Sequence, residues 1–258
     1  MNGKNQINVL FDELNCCVII PTYNNAGTIR QVLSGVLEYT DNIIVVNDGS
    51  TDETAEILKS FSGIHLLGYV KNKGKGYALR KAIRHAHDLG FRYGISIDSD
   101  GQHSPADLPD FLKKIKEEPE AIIIGSRNLK TENMPAKNSF GNKFSNFWYY
   151  IETGRKLPDT QSGFRAYPLY LLHKKRFFGR KYEFEVEVLV RSAWSGIKTI
   201  HIPVSVYYPP DTERVSHFRP FADFFRISVL NTILVFLTIF FIIPYALLKA
   251  IKKKTSQQ

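Results

Sequence analysis

The stretch GISIDSDGQH, residues 94–103, runs from an apolar strand pattern into two carboxylates, Asp98 and Asp100, that are separated by one residue. Because alternate side chains of an extended chain point the same way, both carboxylates can aim at one point beyond the strand end. Two carboxylates there would hold a hard divalent cation, which prefers oxygen ligands and often completes its shell with substrate phosphates. Asp, Ser and Gly are also common turn formers, so the stretch taken alone is more often a plain turn than a site.

Short apolar runs of the same kind lie on both sides of this stretch. Each run is bounded by polar or turn-forming residues, which is typical of a buried strand. The predicted strands are 17–21, 42–47, 63–70, 93–98, 121–126 and a closing strand at 201–208.

Amphipathic segments alternate with these strands and are predicted to be helices. Ser50 and Glu53 have the spacing of a capping box. Ser104-Pro105 supplies an N-cap and a first-turn proline, and Gly90 stands in a C-cap position. The alternation indicates an α/β fold with a mostly parallel sheet and helices on both faces. The predicted helices are 28–39, 52–61, 76–90, 106–118 and 182–196.

The loops that follow the first four strands are polar. In open α/β sheets, ligands bind beyond the carboxyl ends of the strands, so these loops are expected to form one site. KNKGKG has the glycines of a phosphate-binding loop without the spacing of a P-loop, and turns that need glycine conformations explain those glycines equally well. The loops are PTYNN (21–25), NDGSTD (47–52), KNKGKG (71–76) and DSDGQH (98–103).

Composition narrows the class of protein. The chain has 258 residues and a net charge of +9, which favours an anionic partner such as nucleotide phosphates, nucleic acid or an anionic membrane surface. The two cysteines, Cys16 and Cys17, lie in an apolar run and are expected to be reduced core residues. The pattern contains no Cys/His cluster of the zinc type, and the first fifteen residues lack the apolar region of a signal peptide.

Taken together, six motifs in order along residues 15–207 resemble the family 2 glycosyltransferases, which have the GT-A nucleotide-sugar fold. The polyprenyl-phosphate sugar synthases, dolichyl-phosphate mannose synthase among them, are the most similar branch. That resemblance implies a sugar transferred, with inversion, from a nucleotide-diphosphate sugar to a lipid acceptor. The motifs are VIIPTYNN, IIVVNDGSTDET, NKGKGYALRKAI, DSDGQH, GSR and DTQSGFRAY.

The resemblance implies roles for the strand-end residues. Asp98, Asp100 and Gln102 would hold Mg2+ or Mn2+ against the donor diphosphate, where the metal acts as a Lewis acid. Arg127 would clamp the diphosphate, because a guanidinium binds phosphate oxygens in bidentate fashion. Asn25 stands where most relatives carry Glu. The residues expected to contact the nucleotide sugar are Pro21, Tyr23, Asn25, Asp48, Lys75, Asp98 and Arg127.

The acceptor half is expected to begin near residue 130. By resemblance, Asp159 lies near the anomeric carbon, where it would act as the base for a hydroxyl acceptor or position a lipid phosphate. Arg127 and Asp159 are therefore the predicted catalytic residues. Glu183 and Glu187 share a helix face that would form a solvated stripe, and Glu183 and Glu185 are the reserve candidates for site carboxylates. The predicted acceptor contacts are Arg165, Arg214, Ser216 and His217, the last standing where relatives have Lys.

The C-terminal tail is predicted to contact a membrane. The stretch 214–226 mixes arginine with phenylalanine, and 228–248 is apolar almost throughout and long enough to cross a bilayer. The lysines that follow disfavour a simple crossing from the cytoplasm under the positive-inside rule. Pro244 and Asn231 favour a broken or re-entrant path that enters one leaflet or bends back and leaves the C-terminus cytoplasmic, but a single span stays open because both flanks are basic.

The predicted organisation is an N-terminal extension (1–14), a catalytic domain (15–210, divided at 128/129), a juxtamembrane segment (211–227) and a membrane helix with a basic tail (228–258). The catalytic domain is expected on the cytoplasmic side of the cell membrane, because nucleotide sugars are cytosolic. Nucleic acid is not an expected partner, and a homo-oligomer stays open. Two alternatives remain: a hydroxyl acceptor on another lipid or glycan, and a non-catalytic basic protein that binds membrane or nucleic acid.

Overall fold

The computed structural model describes residues 3–127, 136–208 and 217–255. A seven-stranded sheet in the order β3-β2-β1-β4-β6-β5-β7 runs through the centre of the chain. All neighbouring strands are parallel except β6, which is antiparallel to both β4 and β5. The strands are β1 Cys16–Thr22, β2 Ile43–Asn47, β3 His65–Gly68, β4 Tyr93–Ser96, β5 Ile122–Arg127, β6 Arg165–Pro168 and β7 Thr199–Val204.

Helices cover both faces of this sheet, as the alternating pattern predicts. Two separate groups of buried apolar side chains result, one on each face. The helices are α1 Gly3–Glu13, α2 Ile29–Leu37, α3 Thr54–Lys59, α4 Lys75–Asp88, α5 Leu108–Glu117, α6 Ala136–Thr153, α7 Leu169–Leu172, α8 Glu183–Trp194, α9 Pro220–Leu237 and α10 Ile243–Thr255.

Some of the predicted local signals are confirmed and one is wrong. Ser104 accepts a hydrogen bond from the backbone N of Ala106, and Gly90 has a positive φ of 94° just past α4. The capping box is wrong: α3 begins only at Thr54, and the Ser50 hydroxyl accepts from the backbone N of Asn24 instead. Ser50 therefore joins the loops after β1 and β2 rather than opening a helix.

Four elements lie where the sequence patterns predict none, and one of them is the short helix α7. α1 occupies the N-terminal extension and buries Phe11 completely. α6 forms from the polar and aromatic stretch before residue 153, and β6 forms from FRAYP. The four residues of β6 are all buried between β4 and β5, so this motif is part of the sheet.

The C-terminal part is one continuous helical run from α9 through a π-helical turn, Thr238–Ile242, into α10. The predicted break or reversal is therefore wrong for residues 220–255. Pro244 lies in the first turn of α10, directly after the π-helical turn. The backbone hydrogen bonds of a helix are commonly irregular at a proline or a π-helical turn, so the helix continues through this position. The stretch Pro220–Lys249 is long and apolar enough to cross a membrane by length and composition.

One stripe of this helical run packs against the rest of the α/β fold. α9 contacts α6 and α8, and Leu234 belongs to the apolar core on that face of the sheet. Exposed apolar side chains, including Phe221 at 93% and Phe225 at 68%, occupy other positions on the helix. The buried side chains of the stripe are Asp223, Asn231, Leu234 and Thr238.

Glu152 is a buried acid at the junction of these helices. Only 1% of the residue is exposed, and within the described part of the chain neither carboxyl oxygen has a hydrogen-bond partner. Its backbone oxygen accepts from Trp194 Nε1 of α8 at 2.9 Å and from Thr238 Oγ1 at 3.2 Å. Burial raises the pKa of Glu152 from 4.5 to about 8, so the side chain is mostly protonated at neutral pH.

This raised pKa predicts a pH-dependent stability that Glu152→Gln removes. The folded protein binds this proton more tightly than the unfolded chain does, so the stabilisation is complete below pH 4.5 and is lost as the pH rises towards 8. The loss is about 1.4 kcal/mol per pH unit within that window. We expect the advantage of Glu152→Gln in thermal unfolding to grow from pH 5 to pH 8, with exposed Glu120→Gln as the control. Parallel pH profiles for Glu152→Gln and the wild type would contradict this.

Candidate active site

The strand-end loops form one cleft at the carboxyl ends of β1, β2 and β4. Its volume is about 850 Å³. The expectation that polar strand ends converge is therefore met in the structure for most of the predicted residues. Those that line the cleft are Pro21, Tyr23, Asn25, Asp48, Lys75, Asp98, Asp100, Gln102 and His217.

An ion cluster surrounds the first strand-end carboxylate. Lys75, the first residue of α4, places Nζ 2.7 Å from Asp98 Oδ1 and 3.0 Å from Asp98 Oδ2. The same ammonium lies 3.0 Å from Glu185 Oε1 of α8. A Cβ at Gly163 would collide with Asp98 Oδ2 and would lie 2.7 Å from Lys75 Nζ. The backbone before β6 thus passes directly against this ion pair, which only a glycine at position 163 permits.

The charges in this cluster shift the two strand-end acids in opposite directions. Burial opposes ionisation of Asp98, but the Lys75 ammonium outweighs it and lowers the pKa of Asp98 overall. Burial, with the negative charge of Asp98, raises the pKa of Asp100 to about 6. Asp98 and Glu185 therefore share the Lys75 ammonium, whereas Asp100 has no cation at ion-pair distance among the described residues and would gain most from an additional one.

The donor atoms here fit a hard divalent cation that is bound partly by substrate. Asp98, Asp100 and Gln102 all offer oxygen atoms at the cleft surface, and Mg2+ and Mn2+ prefer oxygen. Across residues 3–127, 136–208 and 217–255, no group of three or more His, Cys, Asp or Glu side chains is arranged to hold a metal unaided. A cation at Asp100 would need further ligands from water or from phosphate.

The loop after β1 is tied to the DSD motif through Ser99. Its hydroxyl donates to the Pro21 carbonyl at 3.1 Å and accepts from Asn25 Nδ2 at 2.8 Å. Within the described residues, Asn25 Oδ1 is buried and has no partner. Asn25 is thus held in place at the cleft with an acceptor atom to spare, in the position where the resemblance leads one to expect Glu.

Asp48 closes the glycine-containing loop. Its carboxylate accepts from the backbone N of Lys73 at 2.9 Å and from that of Gly74 at 2.7 Å. Gly74 has a φ of 100°, and its Cα lies so close to the Arg180 carbonyl that a side chain would collide. These glycines therefore serve the turn and the close contact with the segment before α8. Asp48 also lines the cleft, where its predicted contact with base or ribose stays a prediction.

Arg127 and Asp159 form a bidentate ion pair beside the cleft and are not among the residues that line it. Arg127 Nε and Nη2 lie 2.6 and 2.9 Å from the two oxygens of Asp159, which is fully buried. The backbone N atoms of Gln161 and Ser162 also donate to Asp159 Oδ1. Burial opposes ionisation of Asp159, but Arg127 prevails and lowers the pKa of Asp159. In this arrangement Asp159 holds Arg127, and the catalytic roles predicted for the pair stay predictions.

Arg165 does not face the cleft, so its predicted contact with an acceptor is wrong. The residue is fully buried in β6. Its guanidinium donates to the backbone carbonyls of Ser162, Thr160 and Glu185 at 2.6–2.9 Å. The donors of Arg165 are directed at backbone oxygens, and the side chain has no access to solvent. Arg165 is therefore a structural residue that joins the loop before β6 to α8.

The glutamates of α8 do not form a solvated stripe. Glu187 is 1% exposed and accepts from the backbone N of Phe178 and Gly179 and from Arg191. Glu183 accepts from the backbone N of Arg180 and Lys181 and so holds the turn that precedes α8. Only Glu185 reaches the ion cluster, through Lys75.

The segment 217–219, just before α9, covers one side of the cleft and is called the roof segment. The His217 ring meets Tyr23 edge-on at 5.2 Å, and Phe218 meets Tyr182 in the same way at 5.3 Å. His217 therefore lies at the cleft, next to the loop after β1, and its predicted contact with the acceptor stays a prediction. The other two predicted acceptor residues, Arg214 and Ser216, lie outside the described residues.

The structure adds cleft residues that the sequence patterns did not identify. Asn72 and Ser99 lie within the quoted motifs but were not selected, whereas the others come from segments without a family motif and reach the cleft through contacts between elements distant in the chain. The GRKY stretch before α8 was the available signal, because two cations and a tyrosine precede an acidic helix start. The additional lining residues include Asn72, Ser99, Lys181, Tyr182, Tyr208, Phe218, Arg219 and Asp223.

Comparison with known proteins agrees with this geometry. The family model described as Glycosyl transferase family 2 matches residues 17–174. The UDP-N-acetylglucosamine–dolichyl-phosphate N-acetylglucosaminyltransferase of Methanococcus voltae is 28% identical, over 74% of this chain and 85% of its own. The undecaprenyl-phosphate mannosyltransferase of Micrococcus luteus is 26% identical, over 72% of this chain and 81% of its own.

A solved structure matches the fold across most of the chain. It is glucosyl-3-phosphoglycerate synthase from Mycobacterium tuberculosis in complex with Mn2+, UDP-glucose and phosphoglyceric acid. The TM-score is 0.66 at 18% identity, with 90% of this chain and 83% of that chain covered. The predicted fold class is confirmed, and the non-catalytic alternative is wrong because the matching family consists of enzymes. The chain belongs to glycosyl transferase family 2 and is a glycosyltransferase with the GT-A fold.

Proposed function

We propose that this protein transfers a sugar from a nucleotide-diphosphate sugar to a polyprenyl phosphate at a membrane surface, with a divalent metal and with inversion. One observation carries the proposal: the acidic strand ends of Asp98 and Asp100 share a cleft with the roof segment that leads directly into the apolar helix α9. The relatives named above act on dolichyl phosphate and undecaprenyl phosphate, which supports the same acceptor class here.

For the donor, the strand ends supply the contacts. Pro21 and Tyr23 would flank the base and Asp48 would contact base or ribose, while Asp98, Asp100 and Gln102 would hold Mg2+ or Mn2+ beside the diphosphate. When bound, that ion supplies Lewis-acid neutralisation of the leaving diphosphate. The ion pair with Lys75 lowers the pKa of Asp98 and fixes the orientation of its carboxylate, so Asp98 is ionised and in position before the donor binds.

For the acceptor, the state of Asp159 favours a phosphate over a hydroxyl. A hydroxyl needs a base with a free oxygen, whereas Asp159 is buried and both of its oxygens accept from Arg127. A phosphate oxygen is already ionised. It would form the bond to the anomeric carbon as the bond to the donor diphosphate breaks, and the departing nucleoside diphosphate would keep the electron pair. No proton needs to move in this step.

For the location, the exposed apolar side chains of α9 and α10 support membrane contact. They run from Phe221 to Ile251, while the buried stripe faces the domain. Because nucleotide sugars are cytosolic, we place the catalytic domain on the cytoplasmic face of the cell membrane.

The metal-dependent mechanism predicts that Asp100→Asn abolishes most of the transfer. The substitution keeps the shape of the side chain and removes the charge that attracts the cation, so turnover should fall by at least about 100-fold. Sugar transfer and Mn2+ titration of the same preparations measure this, with Asp110→Asn on the exposed side of α5 as the control. Unchanged transfer in the presence of EDTA would exclude the metal-dependent mechanism.

The close approach at Gly163 predicts that Gly163→Ala disturbs the Lys75–Asp98 pair. The added Cβ would displace Asp98, and a misplaced catalytic group costs on the order of 100-fold in turnover. Gly141→Ala is the matched control, because its Cβ meets only Gln161 at an ordinary 3.6 Å. Circular dichroism should show that both variants fold. Wild-type kinetics for folded Gly163→Ala would mean that the ion pair does not position the donor.

The membrane surface predicts that Phe221→Ser with Phe225→Ser weakens vesicle binding. Both rings are exposed on α9 in the protein and would be buried in the membrane. The loss of two such aromatic side chains should reduce partitioning into vesicles by about tenfold or more. Sedimentation with anionic vesicles measures this. Val70→Ser is the control, since Val70 is 96% exposed in the loop between β3 and α4. Equal binding of the double variant and the wild type would remove this face of α9 from the membrane contact.

A further inference from the structure

Two cationic side chains line the cleft without an anionic partner. Lys181 lies just before α8 and Arg219 just before α9, and both contribute to the cleft wall. Within the described ranges, neither the Lys181 ammonium nor the Arg219 guanidinium takes part in a hydrogen bond or an ion pair. The backbone N of Arg219 donates to Asp223 Oδ2 at 2.8 Å, but its side chain does not. A cleft wall that carries two free cations is suited to an anionic ligand.

The neighbouring carboxylates are already engaged. Asp223 is buried, and besides the Arg219 backbone it accepts from Arg226 Nη1 at 3.1 Å. Glu183 accepts from the two backbone N atoms that precede α8. Burial and the charges of Arg219 and Arg226 lower the pKa of Lys181, and the weaker opposing charges of Asp223 and Glu183 do not reverse this shift. An incoming anion would relieve this repulsion.

These cations are distinct from those at the acidic strand ends. Asp98 is held by Lys75 at 2.7 Å, and after burial the main influences on the pKa of Asp98 are Lys75, His103 and Arg165. Lys181 and Arg219 instead flank the roof that the two edge-on ring contacts hold over the cleft. Arg219 immediately precedes the exposed apolar surface of α9, where the hydrocarbon part of a lipid would lie.

We propose that Lys181 and Arg219 form the subsite for the phosphate group of the acceptor, in place of the buried Arg165. This rests on the proposed function and specifies its acceptor site. A phosphomonoester carries up to two negative charges and accepts several hydrogen bonds, so an ammonium and a guanidinium that approach from two chain segments match its chemistry. The chain of the lipid would leave the cleft along α9, with its phosphate held next to the donor.

The test measures full-length protein in detergent with farnesyl phosphate as acceptor, using whichever nucleotide sugar supports transfer. Lys181→Gln and Arg219→Gln should each raise the KM for farnesyl phosphate by about tenfold or more. The kcat and the Kd for the nucleoside diphosphate should stay within about twofold, because neither side chain forms a hydrogen bond or ion pair with the carboxylates at the strand ends. Lys116→Gln on α5 removes the same charge from a remote surface and controls for overall electrostatics.

A competition arm separates a lipid headgroup from free phosphate. Inorganic phosphate should compete with farnesyl phosphate in the wild type only at far higher concentration, because it lacks the contacts of the prenyl chain with α9. A loss of nucleoside diphosphate affinity equal to the rise in KM would overturn the proposal and assign the two cations to the donor. An unchanged KM in an active enzyme overturns this inference alone. A wild-type protein that transfers sugar only to hydroxyl acceptors overturns the proposed function itself.

Discussion

The ion pair between Lys75 and Asp98 is the interaction on which the cleft depends. It joins the start of α4 to the end of the β4 segment, and Glu185 adds α8 to the same ammonium. Partial burial makes such a cluster costly unless the geometry is good and the charges are satisfied. Here the lysine bonds both oxygens of Asp98, while the glycine at 163 admits the pair against the backbone. The arrangement orders the first carboxylate and leaves Asp100 short of a counter-charge.

Under the proposed function, the cleft would present two kinds of charge to two kinds of phosphate. Carboxylates at the end of β4 suit a donor diphosphate that brings a cation with it, whereas Lys181 and Arg219 suit an anion that brings none. Two phosphate groups that must approach each other repel unless each is neutralised separately. A bound metal would neutralise the donor diphosphate, and the protein's own cations would neutralise the acceptor phosphate. A single large cationic site would instead hold both groups too tightly to release the product.

Local patterns predicted the parts of the fold that local chemistry determines. Runs such as CVII and IIVV predict buried strands from their own composition, and a parallel sheet brings their polar ends together. β6 was missed because FRAYP is short and antiparallel, and its identity as a strand comes from its neighbours. The partners of Arg165 and Asp159 were also beyond prediction. The sequence does not distinguish an arginine that donates to buried carbonyls, as Arg165 does, from one that faces a ligand. The contact between Arg127 and Asp159 joins residues that are 32 positions apart, so no local pattern indicates it.

The same limit applies to the C-terminal helix, whose apolar residues serve two purposes that composition does not separate. Along this helical run, Thr238 is the last residue that is buried against the domain. Only the apolar residues 239–248 extend beyond that contact. Ten helical residues rise about 15 Å, which is half of a hydrocarbon core about 30 Å thick. A crossing perpendicular to the membrane would thus leave Lys249 and Lys252 near its centre, if the domain stayed wholly in water. For the proposed membrane location, the consistent arrangement has α9 itself in the interface, with its exposed phenylalanines in lipid and its buried stripe on the domain. The cleft roof then lies at the depth of the lipid phosphates, where Arg219 would meet an acceptor headgroup without lifting the lipid out of the bilayer.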